Sequence, residues 1–251
     1  SFRPVNCKIG PRAMRPVLFL FPNLLDEEGD HTQVLPKSVD AAVSKIHGLI
    51  AESEKAARRF LRRFQFEAPK TFRDIPIQLL NEHTADRQID ELLDPILKGQ
   101  CWGLISDCGM PCLADPGSNL VFKARQKGVA VETFAGPSSI LIALVLSGLG
   151  GQHFTFHGYL PKEEPVLIKA IQEMQKRSSL EKSTHLFIET PYRNQKLFAQ
   201  LLKTLADNTL LCIATDLTAQ RQEVATKTVR EWKKSPMPEI DKRPTVFALR
   251  G

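Results

Sequence analysis

No stretch of this 251-residue sequence is apolar for the roughly 20 residues that a bilayer-spanning helix requires. The longest candidate, residues 140–149, is too short and reads better as a buried helix, so no membrane partner is expected. Residues 1–13 carry Arg and Lys without an apolar core and do not form a secretory signal. Met14, just ahead of the first strand, is the expected natural start, with 1–13 as a poorly ordered extension. The cysteines are odd in number (Cys7, Cys101, Cys108, Cys112 and Cys212) and irregularly spaced. That pattern suggests no disulfide framework and fits a reducing, cytoplasmic setting. Cys108 and Cys112 invite a metal reading, but no second Cys or His pair stands at ligand spacing, so no metal is expected. P-loop, G-x-G-x-x-G and Ser/His/Asp signatures are all missing. Composition, with 42% hydrophobic and 25% charged residues, argues against extensive disorder. The net charge of +6 permits a polyanionic partner without requiring one.

What is present is a repeating alternation. Apolar runs at 17–21, 47–51, 75–80, 102–106 and 129–134 read as buried strands, separated by segments of helical pattern. This argues for a mostly parallel sheet with helices on both faces. Three glycines within 148–151 suggest a linker. Beyond it, strands at 154–160, 184–189, 210–215, 223–228 and 245–249 suggest a second α/β domain with a mixed sheet. The expected domains are therefore 14–148 and 152–251.

Within the first domain, Ser53 is placed to cap a helix running to about residue 65. Ala57, Phe60, Leu61 and Phe64 form its apolar face, and Lys55, Arg58, Arg59, Arg62 and Arg63 form a stripe nearly opposite. The stripe reads either as a solvated face or as an electrostatic track for RNA phosphates.

Three turns share one description: a buried strand ends, then acidic or hydroxyl residues follow at its carboxyl edge. They are SDCGMP at 106–111, GPSS at 136–139 and ETPYR at 189–193. The first two are expected on neighbouring strands. Open α/β sheets bind ligands at this edge, although each turn taken singly is also explained by ordinary turn chemistry.

SDCGMPCLADPG (106–117), GPSSILIALVLSGL (136–149), FHGYLP (156–161) and FIETPYR (187–193) resemble, in order, the motifs of the tetrapyrrole methylase family. These are the class III S-adenosylmethionine-dependent methyltransferases. Within the family the chain looks most like the ribosomal RNA small subunit methyltransferase I branch, which methylates a ribose 2′-hydroxyl of 16S rRNA. The resemblance implies two α/β domains with S-adenosyl-L-methionine in a cleft between them, and usually a homodimer. It places cofactor contacts at Pro22, Asp107, Met110, Ser138, Ser139, Glu189 and Asp216, the last through its backbone. For ribose methylation, Glu52 and Arg193 are the candidate catalytic groups.

Departures from the branch concern the acceptor. FPNLL replaces a Gly-containing turn after the first strand, ESEK at 52–55 replaces EDTR, and DKRP at 241–244 stands where a KGE-type motif is expected. The resemblance implies a methyltransferase acting on RNA, with 16S rRNA or the small ribosomal subunit as its expected partner. Its alternatives are a small-molecule methyltransferase, for example on a tetrapyrrole, and a degenerate cofactor- or RNA-binding module.

Overall fold

The computed structural model describes residues 16–81 and 83–251; the expected start at Met14 and the extension over 1–13 lie outside the described residues. By internal contacts the chain forms two compact units. The first runs through Asn23 and from His31 to Gly136, and the second comprises Leu24–Asp30 and Pro137–Gly251. No helix among the described residues is long and apolar enough to cross a membrane.

In the first unit, β1 (Val17–Leu20), β2 (Gly48–Ala51), β3 (Ile77–Leu79), β4 (Trp102–Leu104) and β5 (Ala130–Thr133) form a wholly parallel sheet ordered β3-β2-β4-β1-β5. Helices α1 (His31–Val34) and α2 (Lys37–Val43) precede β2, and α3 (Glu54–Leu61) follows it. α4 (Asp86–Leu97) joins β3 to β4, and α5 (Ser118–Gln126) joins β4 to β5. The connection leaving β1 leads towards β2, while that leaving its neighbour β4 leads the other way, to β5. The paired strands β1 and β4 are thus a topological switch point. The SDCGMP and GPSS turns do not follow neighbouring strands as expected, because β1 lies between β4 and β5.

Both sheet faces are covered, as the continuous apolar strands require. Leu18, Ile50, Trp102 and Leu104 pack with Ile89, Leu93 and Ile96 of α4 and with Leu120 and Ala124 of α5. Elsewhere in the unit the Phe21 ring lies 5.9 Å from Phe60 of α3 and 5.4 Å from Phe134, centroid to centroid. Gly103 leaves room for this cluster: a Cβ there would stand 2.6 Å from Phe21 Cε2 and 2.8 Å from Leu49 Cδ1. Gly103→Ala should therefore lower unfolding free energy by about 1–3 kcal/mol. Urea denaturation checks this, and an unmoved midpoint would show that the Phe21 ring swings aside at no cost.

Ser53 caps α3 as expected, its Oγ accepting from Ala56 N at 3.2 Å. The helix stops at Leu61 instead of near residue 65. Arg63 N and Phe64 N bond three residues back, to Phe60 O and Leu61 O, so the last turn tightens and brings Phe64 into the core.

The second unit contains α6 (Ser139–Ser147), β6 (Phe154–Tyr159), α7 (Glu164–Glu181), β7 (Thr184–Ile188), a 3-10 turn (Pro191–Arg193) and α8 (Asn194–Thr204). β8 (Leu210–Thr215), β9 (Glu223–Thr228), α9 (Val229–Lys234) and β10 (Thr245–Arg250) complete it. Its sheet is mixed and ordered β6-β7-β10-β8-β9, with only the β6–β7 pair parallel. α6 packs against Leu186, Cys212, Ala214, Val246 and Ala248. α7, α8 and α9 pack with Phe187, Leu211, Ile213, Phe247 and Leu249.

The boundary differs from the expected 14–148 and 152–251. α6 belongs to the second unit, and Gly148 is not a linker residue but the left-handed C-cap of α6 (φ 68°).

Candidate functional site

The turns that leave β1, β2, β4 and β5 come together at the carboxyl edge of the parallel sheet. Phe21 N donates to Leu104 O at 2.9 Å, and Asn23 and Gly109 exchange two backbone hydrogen bonds of 2.8 and 3.1 Å. The buried Asn23 side chain adds to this tie. Its Nδ2 donates to Ser106 O (3.1 Å) and Asp107 O (2.9 Å), and Arg63 donates to its Oδ1 at 3.5 Å. Asn23 was missed in the sequence, where FPNLL registers only as a lost glycine turn. The amide does with hydrogen bonds what a bare backbone turn would do by close approach.

Close approach does occur one strand over. A Cβ on Gly136, after β5, would lie 2.0 Å from Pro22 Cβ and 3.2 Å from Met110 Sδ. Pro22 and Met110 therefore both pack close to Gly136, at the ends of β1, β4 and β5. On the other side, Asp107 N donates to Glu52 Oε1 at 3.4 Å, and Ser53 Oγ donates to Asp107 Oδ1 at 3.3 Å. Of the residues singled out in the sequence, the structure thus brings Pro22, Glu52, Asp107 and Met110 to one edge.

The loop after Asp107 is held in costly backbone. Cys112 and Ala114 both have φ 67°, and Gly109 (70°) and Gly117 (133°) flank them. A Cβ on Gly117 would meet Cys112 Sγ at 2.8 Å and Leu104 Cδ2 at 2.9 Å. Burial raises the pKa of the Asp115 carboxyl, and the nearby Asp107 charge raises it further. Burial and Asp115 together push the Cys112 thiol up to about 11, so it is an inert thiol at neutral pH. Among the described residues no group of three His, Cys, Asp or Glu side chains could hold a metal ion.

The cationic stripe on α3 is not what its spacing suggests. Arg58 Nη1 donates to the carbonyls of Phe72 (3.1 Å), Arg73 (3.3 Å) and Ile75 (2.9 Å), and its Nη2 lies 3.7 Å from Glu54. It braces the segment leading to β3. Arg63 turns to Asn23. Arg59 also has an interaction partner, and Lys55 and Arg62 are exposed.

In the second unit, Ser138 is buried and caps α6, accepting from Leu141 N at 3.5 Å, and Ser139 begins that helix. Glu189 Oε1 accepts from Thr190 N (2.7 Å) and Thr190 Oγ1 (3.1 Å), and its Oε2 lies 3.4 Å from Arg193 Nη2. The two residues are therefore partners in one ion pair. Asp216, at φ 46° just past β8, is clamped by Arg243 and Arg221. Its N–H already donates to Pro244 O and its carbonyl accepts from Ala219 N, which leaves one carbonyl lone pair for any backbone contact.

The acidic edge of the first unit suits a positively charged ligand with hydroxyls. Three carboxylates, Glu52, Asp107 and Asp115, stand among turns whose backbone can approach a ligand closely.

Comparison with known proteins agrees with this reading of the fold. Residues 41–233 match the family model of the Tetrapyrrole (Corrin/Porphyrin) Methylases. A ribosomal RNA small subunit methyltransferase I of Vibrio cholerae is 30% identical over 203 residues, covering 81% of this chain and 65% of the relative. The Halalkalibacterium halodurans protein of that name is 30% identical over 185 residues, covering 73% and 59%. That of Thermotoga maritima is 29% identical over 199 residues, covering 76% and 83%. Against the first two, the matched stretch is therefore less than two thirds of the relative's length. Among solved structures, the methyltransferase CobJ superposes with a TM-score of 0.61 at 14% identity, covering 94% of this chain and 92% of its own. Diphthine synthase superposes with 0.62 at 14% identity, covering 94% and 89%. These two show the fold alone. With four motifs in order, a parallel sheet whose switch point carries the first of them, and a family match over most of its length, the chain belongs to the Tetrapyrrole (Corrin/Porphyrin) Methylases.

Proposed function

We propose that this chain is an S-adenosylmethionine-dependent methyltransferase acting on RNA, with a ribose hydroxyl as acceptor. The observation that carries the reading is the acid-lined switch-point edge, where Asp107 is linked to Glu52 and Ser53 and the turns after β1, β4 and β5 close on one another. The names of the curated relatives supply the RNA half. A homodimer in the cytoplasm belongs to the same reading.

When bound, the cofactor supplies an electrophilic methyl group on a sulfonium. The protein's part is to bind, orient and exclude water, because an in-line displacement gains most from positioning. Asp107, Met110 and Pro22 are assigned to holding the cofactor from the first unit. Ser138, Ser139, Glu189 and the Asp216 carbonyl are assigned from the second. Glu52 is assigned to accepting the acceptor hydroxyl's proton, since its carboxylate already reaches the Asp107 backbone. Arg193, held by Glu189, is a positioning residue in this scheme.

Asp107→Asn keeps the shape and removes the charge. It should weaken S-adenosylmethionine binding in calorimetry by about tenfold or more, or roughly 1.4 kcal/mol. Failure of the unaltered protein to bind at millimolar cofactor would overturn the enzyme reading. Methyl incorporation into small ribosomal subunits from a strain lacking the corresponding modification, with mass mapping of the nucleotide, tests the RNA half.

A further inference from the structure

One feature of the first unit lies outside that scheme. At the end of β3, an open cavity of about 500 Å³ is lined by Gln78, Leu79, Asn81, His83, Thr84, Gln88, Glu91 and Leu92. Its size falls in the ordinary range for small-molecule sites, about 300–1,000 Å³. It sits at the same carboxyl edge as Glu52, because Leu80 N donates to Ala51 O at 2.9 Å and so locks the ends of β3 and β2 side by side.

The lining has a definite hydrogen-bonding sense. Asn81 Oδ1 accepts from His83 N (3.0 Å) and Thr84 Oγ1 (3.4 Å), and Gln88 Oε1 accepts from Ala85 N (2.9 Å). Both amides are thereby fixed with their oxygens on the protein, and their NH2 groups donate to no partner among the described residues. Gln78 Oε1 is buried without a hydrogen-bond partner there, a condition with a real desolvation cost unless something relieves it. Glu91, 3.5 Å from Arg87, adds an acceptor at the rim. Leu79 and Leu92 supply apolar surface. Among the described residues the lining contains no Lys or Arg, so it is not built for a phosphate or a carboxylate.

An uncharged ring with polar edges fits this set. Asn and Gln amides pair with nucleobase edges, and single-stranded RNA bases are read in this way once they are unstacked. We propose that this cavity binds one unstacked nucleobase of the RNA, with Asn81 and Gln88 donating to its acceptors and Glu91 accepting from its donors. The proposal rests on the RNA reading above and deepens it, by assigning base recognition to β3 and α4 and leaving the cofactor to the neighbouring turns.

The test uses the whole chain with the four free ribonucleosides, observed by saturation-transfer NMR, and a short RNA with and without a single abasic position. Saturation should reach the base protons of at least one nucleoside. It should fall about fivefold or more in Gln88→Leu. Gln78→Leu removes the orphaned amide without touching the turn or the helix cap, and it keeps the test valid if Gln88→Leu folds poorly. S-adenosylmethionine binding by calorimetry should stay unchanged in both variants. No nucleoside signal at millimolar ligand, or a signal unaffected by both variants, would overturn the proposal while leaving the cofactor titration to judge the enzyme. Equal affinity for intact and abasic RNA would overturn it as well. Nucleoside binding that is lost in the variants, without methyl transfer by the unaltered protein, would uphold the pocket and sink the methyltransferase reading.

Discussion

Arg243→Ala should cost about 2–4 kcal/mol of stability, while Arg221→Ala should cost less than about 1 kcal/mol, although both arginines pair with Asp216. The difference lies in burial. Arg243 Nε is 2.7 Å from Asp216 Oδ2 and its side chain is 12% exposed, against 4% for Asp216. Arg221 Nε is 2.8 Å from the same oxygen, but its side chain is 69% exposed. Arg243 also donates to the carbonyls of Glu239 (2.7 Å) and Arg221 (2.9 Å) and lies 3.4 Å from Glu223. Its removal leaves a nearly buried carboxylate with one solvent-screened partner and gives up two hydrogen bonds to solvent-exposed carbonyls. Arg243→Lys should rescue little, because a point charge cannot make these divergent bonds together. Urea unfolding of the three variants measures this; equal losses for Arg221→Ala and Arg243→Ala would refute the assignment. The DKRP stretch, which departs from the family's motif, is thus explained structurally. It supplies the side chain that pins the left-handed Asp216 turn, one of the proposed cofactor contacts.

The parts of this protein that are legible in its sequence are those fixed by short-range chemistry. Continuous apolar runs ending in turn residues gave β1, β4 and the loop after Asp107. Ser53 announced its own helix cap, and the mixed second sheet followed from consecutive strands without intervening helices. What the sequence hid depends on contacts between distant residues. α6 is apolar all round, so no stripe tells which sheet it covers, and Gly148 at its end reads as a linker residue when it is the helix cap. Arg58 looks like one of five free cations until carbonyls 14 to 17 residues later are seen to fold onto it. Asn23 reads as a turn residue, and only the pairing of β1 with β4 shows that its amide ties two loops. The β3–α4 cavity was visible as NEHT, a polar end to a strand, but no spacing rule says that two amides there share an orientation.

Between pH 6.5 and pH 5 the protein should lose stability as it is acidified, and His185 should account for most of the loss. His157 Nε2 and His185 Nδ1 are 2.7 Å apart, and His185 Nε2 is 3.0 Å from Ser183 Oγ. Such a pair shares one proton between two nitrogens, so both rings are neutral in the native state. His185 is fully buried. That burial, then His157 and Arg177, push its pKa down from 6.5 to about 4, with Glu181 opposing. Burial and Arg177 also lower His157. In the unfolded chain both imidazoles take up protons as pH falls through about 6.5. The folded chain resists until near 4, so over that window the unfolded state binds more protons and gains on the native state. Stability is therefore fully present above about 6.5 and falls steadily towards 4, by about 3 kcal/mol for His185. The carboxylates held low by their partners begin to matter only near and below their ordinary values, 4.5 for Glu181 and Glu231 and 3.8 for Asp90 and Asp207. The upper part of the window thus belongs to the histidines. His185→Gln retains a hydrogen-bonding side chain without the titration. Its urea midpoint should start lower at pH 7 yet change far less between pH 6.5 and 5. If the two proteins show the same slope across that interval, the native pair already carries a second proton, and neutral sharing between His157 and His185 is wrong.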